Sequence, residues 1–69
     1  MEIKSRVPGK VLEVKVSEGD SVKQKDVVLV LEAMKMKQPV AAPQDGVIKE
    51  IKVAAGDRVS QGTVMIIME

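Results

Sequence analysis

In the first third of the chain, apolar and charged residues alternate: Leu12, Val14 and Val16 are separated by Glu13 and Lys15. A period of two predicts a strand with one face buried and the other wet. Ahead of it, Ile3, Ser5 and Val7 share one face of a short extended entry over residues 1–8, and Pro8-Gly9 predicts a turn. Ser17-Glu18-Gly19-Asp20 predicts a second turn, with Gly19 free to take positive φ. A polar connection, Lys23-Gln24-Lys25-Asp26, then leads into the apolar run Val27 to Leu31. Without polar interruption, that run predicts a strand buried on both faces.

The second half of the chain repeats the first. Shifted by 37, Gly9–Glu32 lies over Gly46–Glu69 without a gap. Identical pairs are Gly9/Gly46, Glu13/Glu50, Lys15/Lys52, Val16/Val53, Gly19/Gly56, Asp20/Asp57, Val22/Val59, Gln24/Gln61, Val27/Val64 and Glu32/Glu69. Six further pairs exchange one aliphatic residue for another: Val11/Ile48, Val14/Ile51, Val28/Met65, Leu29/Ile66, Val30/Ile67 and Leu31/Met68. Each half is too short to bury both faces of its strands, so the halves are expected to pack on each other about a pseudo-twofold axis. The same shift carries residues 33–37 beyond either end of the chain. That segment is therefore the counterpart of the break where the termini meet, and a pseudo-twofold sets it at the opposite end of the molecule.

A helix competes for the centre of the chain. Val27, Val30, Leu31 and Met34 recur at i, i+3, i+4 and i+7, and Leu31 to Lys37 is rich in helix formers. A helix would leave Val28 and Leu29 on its wet face, and the repeat partner, Thr63 to Met68, is a poor helix and a good strand. Strand and hairpin are the preferred reading, with tertiary context overriding local propensity.

Composition narrows the chemistry. The chain of 69 residues is read as one small domain, residues 1–69. It has no cysteine and no histidine, which removes disulfides, cysteine metal sites, the commonest metal ligand and the commonest general base. Ser5, Ser17, Ser21, Ser60 and Thr63 have no histidine to activate them as nucleophiles. These features argue against an enzyme acting alone. Net charge is +1, evenly spread, and aromatic residues are missing, so nucleic-acid binding is not expected. No apolar run approaches ~18 residues and no signal-peptide pattern opens the chain, so a cytoplasmic location without membrane insertion is expected.

One pentapeptide joins the halves: Glu32-Ala33-Met34-Lys35-Met36, a lysine between two methionines. Ala33-Met34-Lys35-Met36 resembles the attachment motif of the biotinyl/lipoyl-attachment family, of the biotin carboxyl carrier type. Ser5-Arg6-Val7-Pro8-Gly9 resembles the family's entry motif with Arg6 in place of a proline. Ala42-Pro43-Gln44-Asp45-Gly46 resembles the opening of its second half, and Gly19-Asp20 and Gly56-Asp57 match its paired turns. Lys37-Gln38 departs from the acidic or amide residues that often follow the motif. The Ser17–Lys25 connection leaves no room for the protruding thumb of some carriers, so the chain resembles the thumbless type.

The resemblance implies a fold and a function. The fold is an all-β flattened barrel-sandwich of two antiparallel sheets with the internal repeat 9–32 and 46–69, and Lys35 at a hairpin tip. The function is that of a biotin carboxyl carrier: Lys35 holds covalent biotin, with Glu32, Ala33, Met34 and Met36 around it as cofactor-binding residues. Partners implied are a biotin protein ligase, a biotin carboxylase, and a carboxyltransferase or decarboxylase subunit. An ordinary lysine amine is free in only about one molecule in two thousand at neutral pH. Lys35 therefore needs a ligase that delivers an activated acyl group. Such a chain is expected to be an excised domain or small subunit of a larger complex.

Other readings stand beside it. Lipoyl carriers share the fold but usually show Asp-Lys-Ala or something close to it, so Met34 and Met36 favour biotin. The chain could also be an unmodified adaptor, in which Lys35 is one more surface lysine. Met34 and Met36 could simply fill a core without aromatics, as is expected of Met65 and Met68. Centred on a lysine in a turn, with the repeat around it, the pair is read as the attachment motif.

Overall fold

A computed structural model describes all of residues 1–69. It contains eight strands and no helix: β1 (Glu2–Lys4), β2 (Gly9–Val14), β3 (Ser21–Val22), β4 (Val27–Ala33), β5 (Met36–Ala41), β6 (Gly46–Ile51), β7 (Arg58–Val59) and β8 (Val64–Met68). Two antiparallel four-stranded sheets face each other, in the orders β1-β8-β6-β3 and β5-β4-β2-β7. No helix is long and apolar enough to cross a membrane. The all-β sandwich expected from the sequence is what forms.

The 37-residue repeat is the symmetry of the fold. It carries β2, β3 and β4 onto β6, β7 and β8, and the end of β5 onto β1. Each sheet therefore maps onto the other, strand for strand. The halves do not stack as separate layers: β7 completes the sheet of β2, β4 and β5, and β3 completes the other. Backbone bonds obey the same shift. The Val11 N–H donates to the Asp57 carbonyl at 2.7 Å, and the Ile48 N–H donates to the Asp20 carbonyl at 2.8 Å. Strands β3 and β7 have only two residues each, and the sequence reading assigned no strand to either stretch. They pair only because the other half supplies a neighbour.

The expected alternation is broken by β-bulges, and the bulges correct two expectations. In β2 the register passes from Val11–Leu31 to Glu13–Val30, so Leu12 is an extra residue. Val11 is consequently fully buried, whereas Leu12 is only partly covered, with Val14 and Val16 half-buried against the core. In β4 the register jumps between Val27 and Leu29, so Val28 is extra and the consecutive Val28 and Leu29 both turn inward. The run read as buried on both faces is not uniformly so: Val27 is 39% exposed and Val30 half-buried. An extra residue resets the period of two, and no periodicity argument can locate it. Bulges recur at the symmetry-related positions, Lys49 in β6 and Met65 in β8.

Core residues from both sheets interdigitate: Val11, Val28, Leu29 and Leu31 from one, Ile48, Met65, Ile66 and Met68 from the other. Turns are held by paired carboxylates in the same symmetry. Asp20 accepts from the Ser17 N–H and Asp57 from the Ala54 N–H, both at 2.9 Å. Gly19 and Gly56 have φ of 92° and 97°, as the turn chemistry requires.

One pair of twins differs where it costs stability. Lys25 has φ 76°, and its counterpart Gly62 has φ 89°. Their N–H groups make equivalent bonds, to the Ala42 and Ser5 carbonyls, both 2.8 Å. A left-handed conformation costs an L-residue roughly 1–2 kcal/mol, and glycine gives back ~0.5–1 kcal/mol in unfolded-state entropy. Lys25→Gly is expected to stabilise the fold by up to about 1 kcal/mol, a rise of some 4–8 °C in melting temperature. A fall in melting temperature would show that the Lys25 side chain contributes packing absent from Gly62.

Candidate functional site

Strand β4 ends at Ala33 and β5 begins at Met36, so Met34 and Lys35 alone make the turn between them. Ala33 and Met36 face each other as the last of six paired positions in this ladder. Both turn residues are left-handed, with φ of 55° at Met34 and 63° at Lys35. A two-residue loop with positive φ at both positions is a type I′ turn, whose twist matches that of the flanking strands. Its favoured residues are Asn-Gly, because each other L-residue held there is strained. The turn is therefore built with residues that local energetics disfavours, and the ladder of β4 and β5 holds them in it. Strain of this kind concentrates at functional positions.

The ladder beneath the turn is the counterpart of the meeting of the termini. The pair Leu31–Gln38 maps by the repeat onto Met68–Met1, and there the Met68 N–H donates to the Met1 carbonyl at 2.7 Å. Two rungs beyond Leu31–Gln38, the pair Ala33–Met36 closes the ladder onto the turn.

The five candidate residues divide by environment. Met34 is 89% exposed and Met36 is 63% exposed, whereas Met65 and Met68 are 0% and 1% exposed. Core filling thus accounts for Met65 and Met68 and does not account for the pair beside Lys35. Lys35 is exposed and engages no carboxylate, the three ion pairs being Glu2–Lys4, Glu13–Lys15 and Glu50–Lys52. Glu32 is exposed and sits in register between Lys10 of β2 and Lys37 of β5. Ala33 is the exception: it is 4% exposed and faces inward, so its surroundings are the underside of the hairpin.

A residue the sequence reading treated only as a turn supports the site. Gly9 opens β2, and a Cβ placed on it would lie 2.5 Å from the Glu32 carbonyl oxygen and 3.4 Å from the Ala33 Cβ. Only glycine lets β2 press this closely under the base of the hairpin. Its twin Gly46 meets Glu69 in the same way, at 2.7 Å. The identity of Gly9 and Gly46 in the repeat was the available signal.

The family model described as "Biotin-requiring enzyme" (Biotin_lipoyl) matches residues 1–68. The chain belongs to the biotin/lipoyl-attachment family. Over 46 residues, 67% of the chain, it is 50% identical to the methylmalonyl-CoA decarboxylase subunit gamma of Veillonella parvula, of which it covers 36%. It spans only 4% and 7% of two other curated relatives, so several of its relatives are much longer proteins. Among solved structures, a single-chain, multi-domain long-chain acyl-CoA carboxylase matches with TM-score 0.94 and 29% identity, over 99% of this chain and 7% of that one. The lipoyl domain of the 2-oxoglutarate dehydrogenase complex from Azotobacter vinelandii matches with TM-score 0.86 and 28% identity, over 100% of this chain and 95% of that one.

These likenesses agree on the fold and, with relatives that include proteins named as biotinylated, place the chain on the biotin side of the family. Its likeness is to biotinyl domains, and biotin is the group that the description of the matching family model names. The hairpin fits covalent attachment: an amide to a lysine needs an amine that is exposed, unpaired and held on a rigid support. Lys35 on the I′ turn has all three properties.

Proposed function

We propose that Lys35 is the biotin attachment point and that the domain ferries carboxyl groups between the active sites of a biotin-dependent carboxylase or decarboxylase. The observation that carries this reading is the conformation of the turn. Two non-glycine residues are held left-handed at the tip of a ladder, with both methionines beside the lysine turned to solvent. Nothing in the packing of the fold requires them there.

Biotin supplies a group that accepts a carboxyl at one catalytic centre and yields it at another. The chain's own residues do the rest. The β4–β5 ladder fixes the base of the arm while the lysine stem and its appendage sweep, so the tethered group stays concentrated near both centres. Met34 and Met36 offer flexible apolar surface beside the amine, suited to contact with the proteins that must seat the tip. The partners we infer are a biotin protein ligase, a biotin carboxylase, and a carboxyltransferase or decarboxylase subunit. The reading includes a cytoplasmic location.

Intact mass after co-expression with a biotin ligase tests the proposal, with biotin or lipoate supplied and Lys35→Arg alongside. Arginine keeps the cation and removes the primary amine. The wild-type chain is expected to gain a single biotinyl increment and the variant none. A lipoyl increment instead would move the domain to the 2-oxo acid dehydrogenase or glycine-cleavage type of carrier. An increment retained in Lys35→Arg would reassign attachment to another lysine, with Lys37 the nearest. No increment under either condition would leave the domain an unmodified adaptor.

A further inference from the structure

We propose that Met34 and Met36 form an oxidation-sensitive pair: conversion of their thioethers to sulfoxides by a peroxide blocks acylation of Lys35. The proposal rests on the reading of Lys35 as the attachment point. Its ground is the division among the methionines. Met34 and Met36 are 89% and 63% exposed, while Met65 and Met68, at 0% and 1%, lie in the core between the sheets. A peroxide therefore reaches the two sulfurs that flank the lysine and not the two that hold the fold. Met1, 50% exposed, stands at the terminal break, which the repeat makes the counterpart of this hairpin.

The chemistry is a two-electron transfer. A thioether sulfur attacks one peroxide oxygen, an S–O bond forms as the O–O bond breaks, and the departing hydroxide takes a proton to leave as water. The sulfur is oxidised and the peroxide reduced. Sulfoxide reductases of the thiol class reverse the step: two thiols become a disulfide and the oxygen leaves as water.

The consequence follows from where the sulfurs sit. A ligase that seats Lys35 must cover the side chains on either side of it, so both methionines lose water on binding. A thioether gives up water readily, whereas a sulfoxide oxygen is a strong acceptor that resists burial without a donor. The I′ turn and the ladder below it contain neither sulfur in their hydrogen bonds, so the fold itself is expected to tolerate the change.

The test treats the folded, unbiotinylated chain with hydrogen peroxide, separates the singly oxidised species, and maps each oxygen by peptide mass. Each species is then assayed for its initial rate of biotin incorporation by a biotin ligase, before and after treatment with methionine sulfoxide reductases. Oxygen is expected at Met34, Met36 and Met1, with Met65 and Met68 spared until the chain is unfolded. Species carrying oxygen at Met34 or Met36 are expected to accept biotin at least tenfold more slowly, with an unchanged melting temperature, and to recover after reduction. The species oxidised only at Met1 keeps the full rate. Oxidation of Met65 or Met68 as fast as the tip, or full-rate biotin uptake by a Met34 or Met36 sulfoxide, overturns the proposal. If the untreated chain takes no biotin at all, the reading of Lys35 fails and the inference about acylation falls with it. The order of methionine oxidation would still be read from the masses.

Discussion

Replacing Met34-Lys35 by Asn-Gly is expected to raise the melting temperature and abolish biotin incorporation in one step. The turn demands positive φ at both positions, and it has 55° and 63°. Asn-Gly is the pair a type I′ turn prefers, while methionine and lysine each carry part of a left-handed cost of roughly 1–2 kcal/mol. Relief of about 1–2 kcal/mol corresponds to a rise of roughly 4–16 °C for a domain of this size. The ladder below need not change, since Ala33 and Met36 already face each other across the turn. Biotin uptake goes to zero because the amine is gone. Thermal unfolding by circular dichroism and intact mass from one preparation read both effects. An unchanged or lowered melting temperature would mean that the methionine and lysine side chains recover the strain through contacts of their own. Function would then not be what keeps disfavoured residues in this turn.

That trade-off explains what was and was not legible in the sequence. The repeat was legible because ten identities survive between the halves, and identity at Gly9/Gly46, Gly19/Gly56 and Asp20/Asp57 marks backbone demands that the fold makes twice. The tip was legible from its own residues: a lysine between two methionines, Met34-Lys35-Met36, stands directly after the apolar run Val27 to Leu31 and Glu32-Ala33. The bulges were hidden. Leu12 and Val28 are ordinary apolar residues in apolar neighbourhoods, and only pairing with a distant strand makes each of them extra. Strands β3 and β7 were hidden too, because two residues carry no periodicity and their partners come from the other half. Burial of Ala33 was likewise invisible, since the inward face of β4 depends on the bulge at Val28.

Gly9→Ala is expected to be the most damaging small substitution in the molecule. The added Cβ would stand 2.5 Å from the Glu32 carbonyl oxygen, closer than a carbon and an oxygen approach without something moving. Backbone must move, because the obstacle is not the end of a flexible side chain. Glu32 is paired on both sides, to Lys10 in β2 and Lys37 in β5, so the shift is passed into the hairpin. Overpacking of this kind costs about 1–3 kcal/mol, out of a total stability on the order of 3–10 kcal/mol for a chain this long. Gly46→Ala supplies the comparison. Its Cβ would lie 2.7 Å from the Glu69 carbonyl oxygen, but Glu69 lies outside β8, and the nearby Met68 Cε can give way. Denaturant unfolding is expected to show Gly9→Ala losing more stability than Gly46→Ala. Biotin uptake is expected to fall only in the first, because only that shift reaches the turn carrying Lys35. Equal losses in both variants would mean that the clash is absorbed locally, and that β2 does not set the position of the hairpin.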